Sequence, residues 1–588
     1  MSRSAAIRSG FIFIIGSIIF LLSAIPALAA NWYVDNAVST SGTGASWESA
    51  WKSFSDIVWS SIGPNDTLYI SGGNSEKIYY ETLSVGTSGS SGSPVTITKG
   101  IDSGHNGTVI LDGENSRIGV VLYARDNIVV QNLNIQNIAI TGISVKYATE
   151  GVVIQNNSVY SGMGPPNGTA RGYDVRNSSG TSPVIVRNNT FTTPSSTTAQ
   201  TDGMWSSGNN GVVFDSNRIT ISNGDSYGHS DGFQSLQDTN IIIRNNFFSH
   251  PNGGLHNHGM WLEDASDTIT IYNNVVHMPT SDEQGITYWN EPGYSGRALM
   301  WNNTVYGAWW CYRFISAPNS QLKNNICFAG QGEGVVIENG PLSESAVNNN
   351  LIWSPNGTIG SIDWVPKTWT QWQAFGYDIQ GTSTDPLFRS VATQDFTLAT
   401  SSPAINGGQA LLQVTSDKNG VTRPQGASYD MGAYEYVFPP SGPTTVFFDS
   451  FESGISLWTQ DTQKDWASST QRASNGIRSA EVDGSANNAL LISPSINLST
   501  STQATITFSW YIESGLDSGE YIAFDVSTNG GSSWTERARL RGNQDPENSW
   551  RTVSVSVQGG GLLKLRFKGT MSDSTEDANV DNVRIVAQ

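Results

Sequence analysis

Apolar runs that end on asparagine recur along the middle of the chain, from about residue 118 to residue 350. Each run is rich in β-branched residues and stops at an asparagine that keeps its place in the repeat. Successive asparagines are 22 to 32 residues apart, and they are Asn157, Asn189, Asn217, Asn246, Asn274, Asn303, Asn325 and Asn350. Short β-branched runs bounded by turn residues at a regular period predict a parallel solenoid with one coil per repeat.

The repeated asparagine suits the corner of such a coil. Stacked asparagine side chains can hydrogen-bond from one coil to the next, and asparagine tolerates the left-handed backbone that a tight corner requires. We therefore expect a ladder of asparagines along one edge of an all-β solenoid.

The first strand of each coil has a predicted inner and outer side. Alternation along a strand places Met204, Phe233 and Met260 inside the solenoid, and it turns their neighbours toward solvent. The neighbours are Trp205, Gln234 and Trp261. Length variation between coils falls in the loops before these strands. Long loops on neighbouring coils make the walls of a groove, whose floor is formed by the outward side chains, and such loops often carry function.

Composition agrees with an all-β chain and argues against some partners. Only 14% of the residues are charged, and the net charge is −19. A chain this acidic offers no basic stripe for phosphates, so a nucleic-acid partner is not expected. We expect a monomer.

Residues 1–30 have the pattern of a signal peptide. Arg3 and Arg8 precede the apolar run Phe11–Ile25, and a small-x-small cleavage pattern follows at Ala27–Ala29. No second apolar stretch is long enough to span a membrane. The mature protein, from residue 31 onward, is therefore expected to be secreted without a transmembrane span.

The two cysteines, Cys311 and Cys327, lie sixteen residues apart. In an oxidising compartment they can pair, and two half-buried free thiols are the alternative.

The best candidate for a catalytic site is a triplet of residues on three consecutive coils. Asp202 and Asp231 each lie 15 residues before a ladder asparagine, and His258 lies 16 before the next one. Neighbouring strands are about 4.8 Å apart, so the two carboxyl groups should lie close together, which raises one pKa. Such a pair suits general acid–base chemistry. His229 and His256 lie two residues before Asp231 and His258, at the lip of the groove.

The chain resembles a known family at its start. The segments Asn31–Asp35, Gly42–Trp51, Ile62–Ile70, Pro94–Ile97 and Gly104–Ile110 look like the opening of secreted bacterial right-handed parallel β-helix proteins of the pectate-lyase-like superfamily. The resemblance implies a right-handed parallel β-helix over residues 31–377 and a polysaccharide as partner.

The candidate triplet resembles a more specific group. Thr-Asp-Gly at 201–203, the Asp231 segment and His258-Gly259 are similar in order and spacing to segments of polygalacturonase-type glycoside hydrolases. That similarity implies a secreted glycoside hydrolase with Asp202 and Asp231 as acid and base. The chain departs from the group in having Ser230 before Asp231 and no later Arg-Ile-Lys segment, which puts a third carboxylate and a basic subsite in doubt.

Two other functions remain open. A polysaccharide lyase or epimerase would need a base, and because no lysine lies between Lys146 and Lys323, His229 or His256 would take that role. Arg244 or Tyr288 would assist it, and Asp202, Asp231 and Glu263 would bind Ca²⁺. Alternatively, the solenoid only binds glycans and its acids cap turns. Under any of these hypotheses, the expected sugar-contacting residues are the following: Trp205, Gln234, Trp261, Glu263, Arg244 and Tyr288.

The remaining chain divides into three parts. Residues 378–437 resemble a module that closes the open end of β-helices, and residues 438–446 read as a linker. Residues 447–588 resemble a MAM-like jelly-roll, a β-sandwich whose first and last strands meet, with a possible carbohydrate-binding role. The resemblance suggests that Asp449, Glu452 and Asp581 hold a structural Ca²⁺, and turn-capping acids are the alternative.

Overall fold

The computed structural model of the protein describes residues 29–161, 169–194, 200–222, 230–253, 257–280, 283–438, 442–499 and 501–588. Two compact units are present, one up to Val437 and one from Phe438 onward. The predicted signal peptide, His229 and His256 fall outside the described residues, except that the last two residues of the signal segment are included.

The first unit is a right-handed parallel β-helix, as predicted. Its coils stack into three sheets, which in the described part of the chain have 12, 12 and 11 strands. Sheet 1 contains Asn31–Val34, Thr67–Ile70, Val95–Lys99, Ile128–Gln131, Val153–Gln155, Ile185–Arg187, Val213–Asp215, Ile241–Arg244, Thr268–Tyr272, Arg297–Trp301, Gln321–Lys323 and Val347–Asn348. Sheet 2 contains Leu83–Ser84, Val120–Tyr123, Thr141–Lys146, Ala170–Arg176, Thr201–Ser207, Asp231–Leu236, His258–Glu263, Gln284–Trp289, Trp310–Ile315, Val335–Glu338, Gly360–Ile362 and Val365–Lys367. Sheet 3 contains Glu76–Tyr79, Thr108–Asp112, Asn134–Gln136, Ser158–Tyr160, Thr190–Thr192, Arg218–Thr220, Phe247–Ser249, Val275–His277, Thr304–Tyr306, Ile326–Phe328 and Leu351–Trp353.

The interior of the solenoid is a continuous apolar core. Met204, Phe233 and Met260 are fully buried in it, in line on neighbouring strands of sheet 2, which confirms the predicted inner side. Their outward neighbours therefore lie on the outer face of sheet 2, where the candidate site is found.

The asparagine ladder is present from Asn157 to Asn350. Within it, Asn189 is typical: its Oδ1 accepts hydrogen bonds from the backbone N–H of Asn157 at 2.9 Å and from the Asn157 amide at 3.2 Å. Its own amide donates to the Ile154 carbonyl and to Asn217. The left-handed backbone belongs to the residue before each ladder asparagine, for example Asn188 with φ of 54°. The ladder asparagine therefore supplies the hydrogen bonds of the corner, and the residue before it supplies the left-handed backbone.

The ladder ends on an acid. Asp378 accepts the backbone N–H of Asn350 at 2.9 Å and the side-chain amide of Asn350 at 2.8 Å. Its other oxygen accepts from Trp372 Nε1, and Trp372 lies on the α-helix Trp369–Ala374, whose first turn is capped by Thr368. The buried ring of Trp372 packs into the end of the apolar core. The short helix therefore covers this end of the core.

A second, shorter ladder was not predicted. Along another corner, the backbone N–H of Ser178 donates to Asn209 Oδ1 at 2.9 Å, and the backbone N–H of Asn209 donates to Asp238 Oδ1 at 2.8 Å. Burial raises the pKa of Asp238 to about 6.

The segment 378–437 contacts the last coil at its start, where Asn350 donates to Asp378 and Thr382 pairs with Leu351. It runs back along the flank where sheets 1 and 3 meet, so that Asn302, Asn324 and Asn349 donate to carbonyls within it. Corner asparagine amides face outward there and need acceptors, which this segment supplies. It contains the hairpin Phe388–Ser390 with Asp395–Leu398. The 3₁₀ turns of the first unit are Phe54–Asp56, Trp59–Ser61, Glu344–Ala346 and Val391–Thr393.

Cys311 and Cys327 form a disulfide, with Cα atoms 5.7 Å apart, so the paired alternative is the correct one. Both residues are fully buried in the solenoid core. The bridge links a strand of sheet 2 to one of sheet 3.

The second unit is a β-sandwich of two sheets. Sheet 4 contains Trp466–Ser469, Ser479–Asp483, Asp577–Ala587, Gln503–Ile512, Arg551–Gln558 and Thr444–Asp449. Sheet 5 contains Thr459–Gln460, Asn487–Ile492, Leu562–Thr570, Tyr521–Ser527, Thr535–Arg541 and Ile496–Asn497. The first and last strands pair antiparallel, as expected. The first strand begins at Thr444, within the predicted linker, so the linker is shorter than expected. None of the helices described in either unit has the length and apolar character to cross a bilayer.

Candidate functional site

The predicted triplet forms a column on sheet 2. Asp231 pairs in register with His258, and the pairing of Met204 with Phe233 sets Asp202 beside Asp231 one coil earlier. A glycine follows each of the three, and a Cβ on Gly203 would lie 2.2 Å from the Ile219 side chain inside the core. The glycine therefore takes the inward position at the start of the strand, which leaves the preceding residue on the outer side.

The three side chains of the column are buried and joined. Asp202 and Asp231 have no exposed surface, and His258 is 4% exposed. His258 Nδ1 lies 2.8 Å from Asp231 Oδ1, and the backbone N–H of Asp231 donates to Asp202 Oδ1 at 3.4 Å. An ionised carboxylate only accepts hydrogen bonds, so Asp231 favours the tautomer with a proton on Nδ1. Proton exchange with a substrate then falls to Nε2.

Arg171 belongs to the same column, one coil before Asp202, and was not predicted. Its Nε lies 3.8 Å from Asp202 Oδ2, and its guanidinium lies 4.1 Å from the centre of the Trp205 ring. Burial lowers the pKa of Arg171, and the charge of Asp202 opposes that shift. The Asp202 carboxylate therefore favours the charged form of Arg171. A sequence signal existed, since Arg171-Gly172 repeats the residue-glycine pattern of the triplet.

His250 and Glu283 lie near the column, at corners between sheet 3 and sheet 2. His250 follows a strand of sheet 3, is fully buried, and places Nδ1 3.9 Å from Glu283 Oε1. Burial lowers the pKa of His250 to about 3, while the nearby Asp231 carboxylate raises it and His258 lowers it further, each by less than burial does. Glu283 also accepts from Thr280 at 3.0 Å. Neither residue lies at the repeat position of the triplet, so neither could be predicted from the spacing to the ladder asparagines.

Aromatic side chains cover the outer face beside the column. Trp205, Gln234 and Trp261 line up on consecutive strands, as predicted. The His258 and Trp261 rings are 4.4 Å apart, and Trp289 meets Trp261 edge-on at 6.0 Å. Glu263, two residues further along the same strand, accepts a hydrogen bond from Trp261 Nε1.

Two buried polar atoms of this face point to a ligand. Trp205 Nε1 and Gln234 Oε1 are buried and have no hydrogen-bond partner among the described residues. Buried polar groups are almost always hydrogen-bonded, and their exceptions tend to mark binding or catalytic positions. A donor and an acceptor beside the acid column are suited to sugar hydroxyls.

The outer face of sheet 2 extends beyond the column in both directions. Toward the N-terminus it reaches Ser84, which lines a cavity of about 610 Å³ together with Trp59, Tyr80 and Arg117. Four strand steps of about 4.8 Å separate the strand of Ser84 from that of Trp205, a span of about 19 Å.

Two predicted substrate-binding residues do not belong to the face. Tyr288 points into the solenoid core, where it is fully buried and aligned with Leu262 and Phe314, and burial raises its pKa far above the usual value. Arg244 lies on sheet 1, where it pairs with Asp215 at 2.9 Å. The helper roles expected for these residues in proton abstraction are therefore wrong.

The acids predicted to bind Ca²⁺ in the second unit serve as turn caps. Asp449 accepts from the Phe451 N–H and Trp458 Nε1, each at 2.8 Å. Glu452 Oε1 accepts two backbone N–H groups, from residues 477 and 478, and Asp581 Oδ2 accepts two from residues 474 and 475. Across the described parts of both units, no three His, Cys, Asp or Glu side chains are grouped as metal ligands. These contacts agree with the turn-capping alternative, and calcium binding by these acids stays a prediction.

Comparisons with known proteins agree with the fold. Residues 118–295 match the family model described as a right-handed β-helix region. Among curated protein sequences, none matches the chain significantly. The fold and the family match are compatible with a polysaccharide-related role.

Several solved structures are similar to about a quarter of the chain. The K3 cleaved adhesin domain of Lys-gingipain from Porphyromonas gingivalis is 19% identical over 25% of this chain and 99% of its own, with a TM-score of 0.20. The CBM22-1 xylan-binding domain from Paenibacillus barcinonensis is 17% identical over 25% of this chain and 97% of its own, with a TM-score of 0.20. A family 61 module, TmCBM61, in complex with β-1,4-galactotriose is 16% identical over 24% and 94%, with a TM-score of 0.19. These values assign no activity to the chain.

Proposed function

We propose that the protein is a secreted polysaccharide-active enzyme, a glycoside hydrolase, whose reaction takes place at Asp202, Asp231 and His258. One observation supports this above the others. A buried Asp–Asp–His column, with His258 Nδ1 2.8 Å from Asp231, lies beside Trp205 and Gln234, whose buried polar atoms have no partner among the described residues.

Hydrolysis needs a carboxylate and a proton donor on either side of the scissile bond. Asp202, held beside the Arg171 guanidinium, is suited to the ionised role, in which it activates water or attacks the anomeric carbon. The Asp231–His258 pair is suited to supply the proton. The C–O bond then breaks as the leaving oxygen takes that proton, and water adds to the anomeric carbon.

The aromatic face supports a sugar polymer as substrate. Trp rings stack on the apolar faces of sugars, and polar groups beside them fix orientation. The column lies next to Trp205 and Trp261, and the same face continues to the cavity at Trp59 and Tyr80. These features favour a chain of several sugar units that binds along sheet 2.

A lyase or epimerase is the second candidate, favoured by the orientation of His258. A histidine held by a carboxylate can abstract the proton next to a uronate carboxylate, and Arg171 could neutralise the developing charge. In that reaction the base is His258, with neither Tyr288 nor Arg244 near it.

The products distinguish the candidates. Purified mature protein is incubated with plant, algal and microbial polysaccharides, and new reducing ends are followed together with the ultraviolet absorbance of unsaturated uronates. Hydrolysis predicts reducing ends without that absorbance, and their loss in Asp202→Asn and Asp231→Asn. Asp238→Asn, a buried acid of the second ladder, is the matched control and should keep activity. Absorbance that depends on His258 identifies a lyase, and binding without products on every glycan contradicts an enzymatic role.

A further inference from the structure

The outer side of sheet 5, in the second unit, carries a group of basic residues that we call the cationic face. On the strand Leu562–Thr570, basic residues alternate with fully buried Leu565 and Phe567, so they lie on the outer side. On the strand Thr535–Arg541, two arginines flank buried Leu540 in the same way. The cationic face comprises Arg539, Arg541, Lys564, Arg566 and Lys568.

Strand register brings these cations together. Both strands pair with Tyr521–Ser527, which places Arg539 and Lys568 on either side of Ala523 and sets Arg541 beside Tyr521. Neighbouring strands are about 4.8 Å apart, so the five charges occupy one patch.

The patch contains more positive than negative charge. Asp525 pairs with Arg566 and, at 3.1 Å, with Lys568, and Glu536 pairs with Arg539 at 2.6 Å. Within the described residues, the side chains of Arg541 and Lys564 form no ion pair, although Asp545 accepts the backbone N–H of Arg541 at 2.8 Å. Five cations thus lie beside three anions, Asp525, Glu536 and Asp545, in a protein whose net charge is −19. This concentration of charge attracts an anion.

A buried carboxylate oxygen adds a specific feature. Asp525 is 1% exposed, and its Oδ1 has no hydrogen-bond partner among the described residues, although Oδ2 is paired. A buried acceptor of this kind is suited to a ligand hydroxyl or amide.

Two aromatic rings lie within the cationic face. The Arg539 guanidinium lies 3.7 Å from the centre of the Tyr521 ring, and that of Arg566 lies 4.4 Å from the Trp534 ring. Stacking holds the guanidinium groups in fixed planes, which favours bidentate contact with carboxylate or sulfate groups. The rings supply an apolar surface next to these donors.

We propose that the cationic face binds an acidic polysaccharide, one that bears carboxylate or sulfate groups. The anionic groups contact the arginines and lysines, a hydroxyl donates to Asp525, and the sugar rings lie against Tyr521 and Trp534. This site is independent of the reaction proposed for the solenoid.

Binding is measured with the full mature chain, by affinity electrophoresis in gels that contain polygalacturonate, a sulfated galactan, or a neutral galactan. Wild type should be retarded by the acidic polymers and not by the neutral one, with retardation that falls as salt rises. Arg541→Gln combined with Lys564→Gln should weaken the apparent affinity roughly tenfold, because two side-chain charges that form no ion pair within the described residues are lost. Trp534→Ala should weaken it as well.

Lys464→Gln combined with Arg551→Gln removes two exposed cations elsewhere in the second unit and is the matched control. This variant should bind as wild type does. The proposal is overturned if the two double variants bind acidic polymers alike, if the neutral galactan binds as well, or if double-stranded DNA binds as tightly as the acidic glycans.

Discussion

His258 Nδ1 and Asp231 Oδ1 lie 2.8 Å apart on neighbouring coils of the solenoid, both buried. The carboxylate fixes the orientation of the imidazole ring and favours one tautomer, as in other pairs that exchange protons with substrates. Two residues 27 positions apart in the chain meet because one coil separates them in the stack.

Arg171→Gln tests the role of the cation beside Asp202. Without the guanidinium, ionised Asp202 loses its favourable partner, so the acidic limb of the activity profile should move to higher pH. Activity against pH is measured for wild type and variant. Arg187→Gln is the control, since Arg187 lies on sheet 1 and pairs with Gln155. An unchanged acidic limb in Arg171→Gln would exclude the proposed role.

Trp205→Ala and Trp261→Ala test the aromatic face. If the rings bind sugar equally in the ground and transition states, KM should rise roughly tenfold with little change in kcat. Steady-state kinetics on the best polysaccharide give both constants. Tyr160→Ala, on the outer side of sheet 3, should leave KM unchanged, and a KM unaffected by both tryptophan variants would place the substrate elsewhere.

The two asparagines of a corner should differ in their effect on stability. Asn189→Ala leaves several buried partners without hydrogen bonds, which should cost about 4 kcal/mol. Asn188→Gly keeps a residue that accepts the left-handed backbone and should change stability by less than about 1 kcal/mol. Thermal and urea unfolding give the comparison. Equal losses of stability in the two variants would contradict these separate roles of Asn188 and Asn189.

Asp238 and Asp378 make the solenoid more stable at acid pH. Burial raises the pKa of each to about 6, above the usual 3.8. The folded state therefore holds a proton that the unfolded state releases, so the stabilisation is complete below about pH 4 and is lost as pH rises through 6. The Asp238→Asn side chain stays neutral at every pH. The free energy of unfolding of this variant should therefore exceed that of wild type at pH 8 by up to about 3 kcal/mol, with no gain at pH 4.

Asp378→Asn is the informative contrast for that measurement. Asn350 donates to one oxygen of Asp378, and Trp372 donates to the other. In Asp378→Asn, the new side-chain NH₂ group replaces one of these oxygens and therefore faces another donor. This variant should be less stable than wild type at pH 4 by about 1–3 kcal/mol. Unfolding followed across pH separates the two cases, and a gain for Asp238→Asn that is equal at pH 4 and pH 8 would contradict the pKa argument.

The sequence predicts the fold well because each coil repeats one physical requirement. A ladder asparagine and a left-handed corner residue recur at a readable period, and the register from Asn217 to Asn274 also aligned Asp202, Asp231 and His258. Arg171 was missed although it precedes a glycine as the triplet does. Its long side chain reaches Asp202 from the preceding coil. An arginine is neither an acid nor a histidine, the residue types by which the triplet was predicted.

Other parts of the site depend on packing that the period does not specify. His250 and Glu283 approach the column from corners, where alternation along a strand gives no direction. Tyr288 is among the predicted sugar-contacting residues, although alternation from the buried Ile286 places it inside. The path of residues 378–437 is set by carbonyls that pair with corner asparagines, a match that becomes visible only in three dimensions.

A double-mutant cycle on Asp231 and His258 tests the central claim most directly. Hydrolysis or elimination rates are measured for Asp231→Asn, His258→Ala and the double variant, with folding verified for each. Residues that act as one unit lose activity non-additively, so each single variant should fall about 10²–10⁴-fold and the double variant little further. Losses that multiply, or variants that retain wild-type rates, would contradict an active site at this pair.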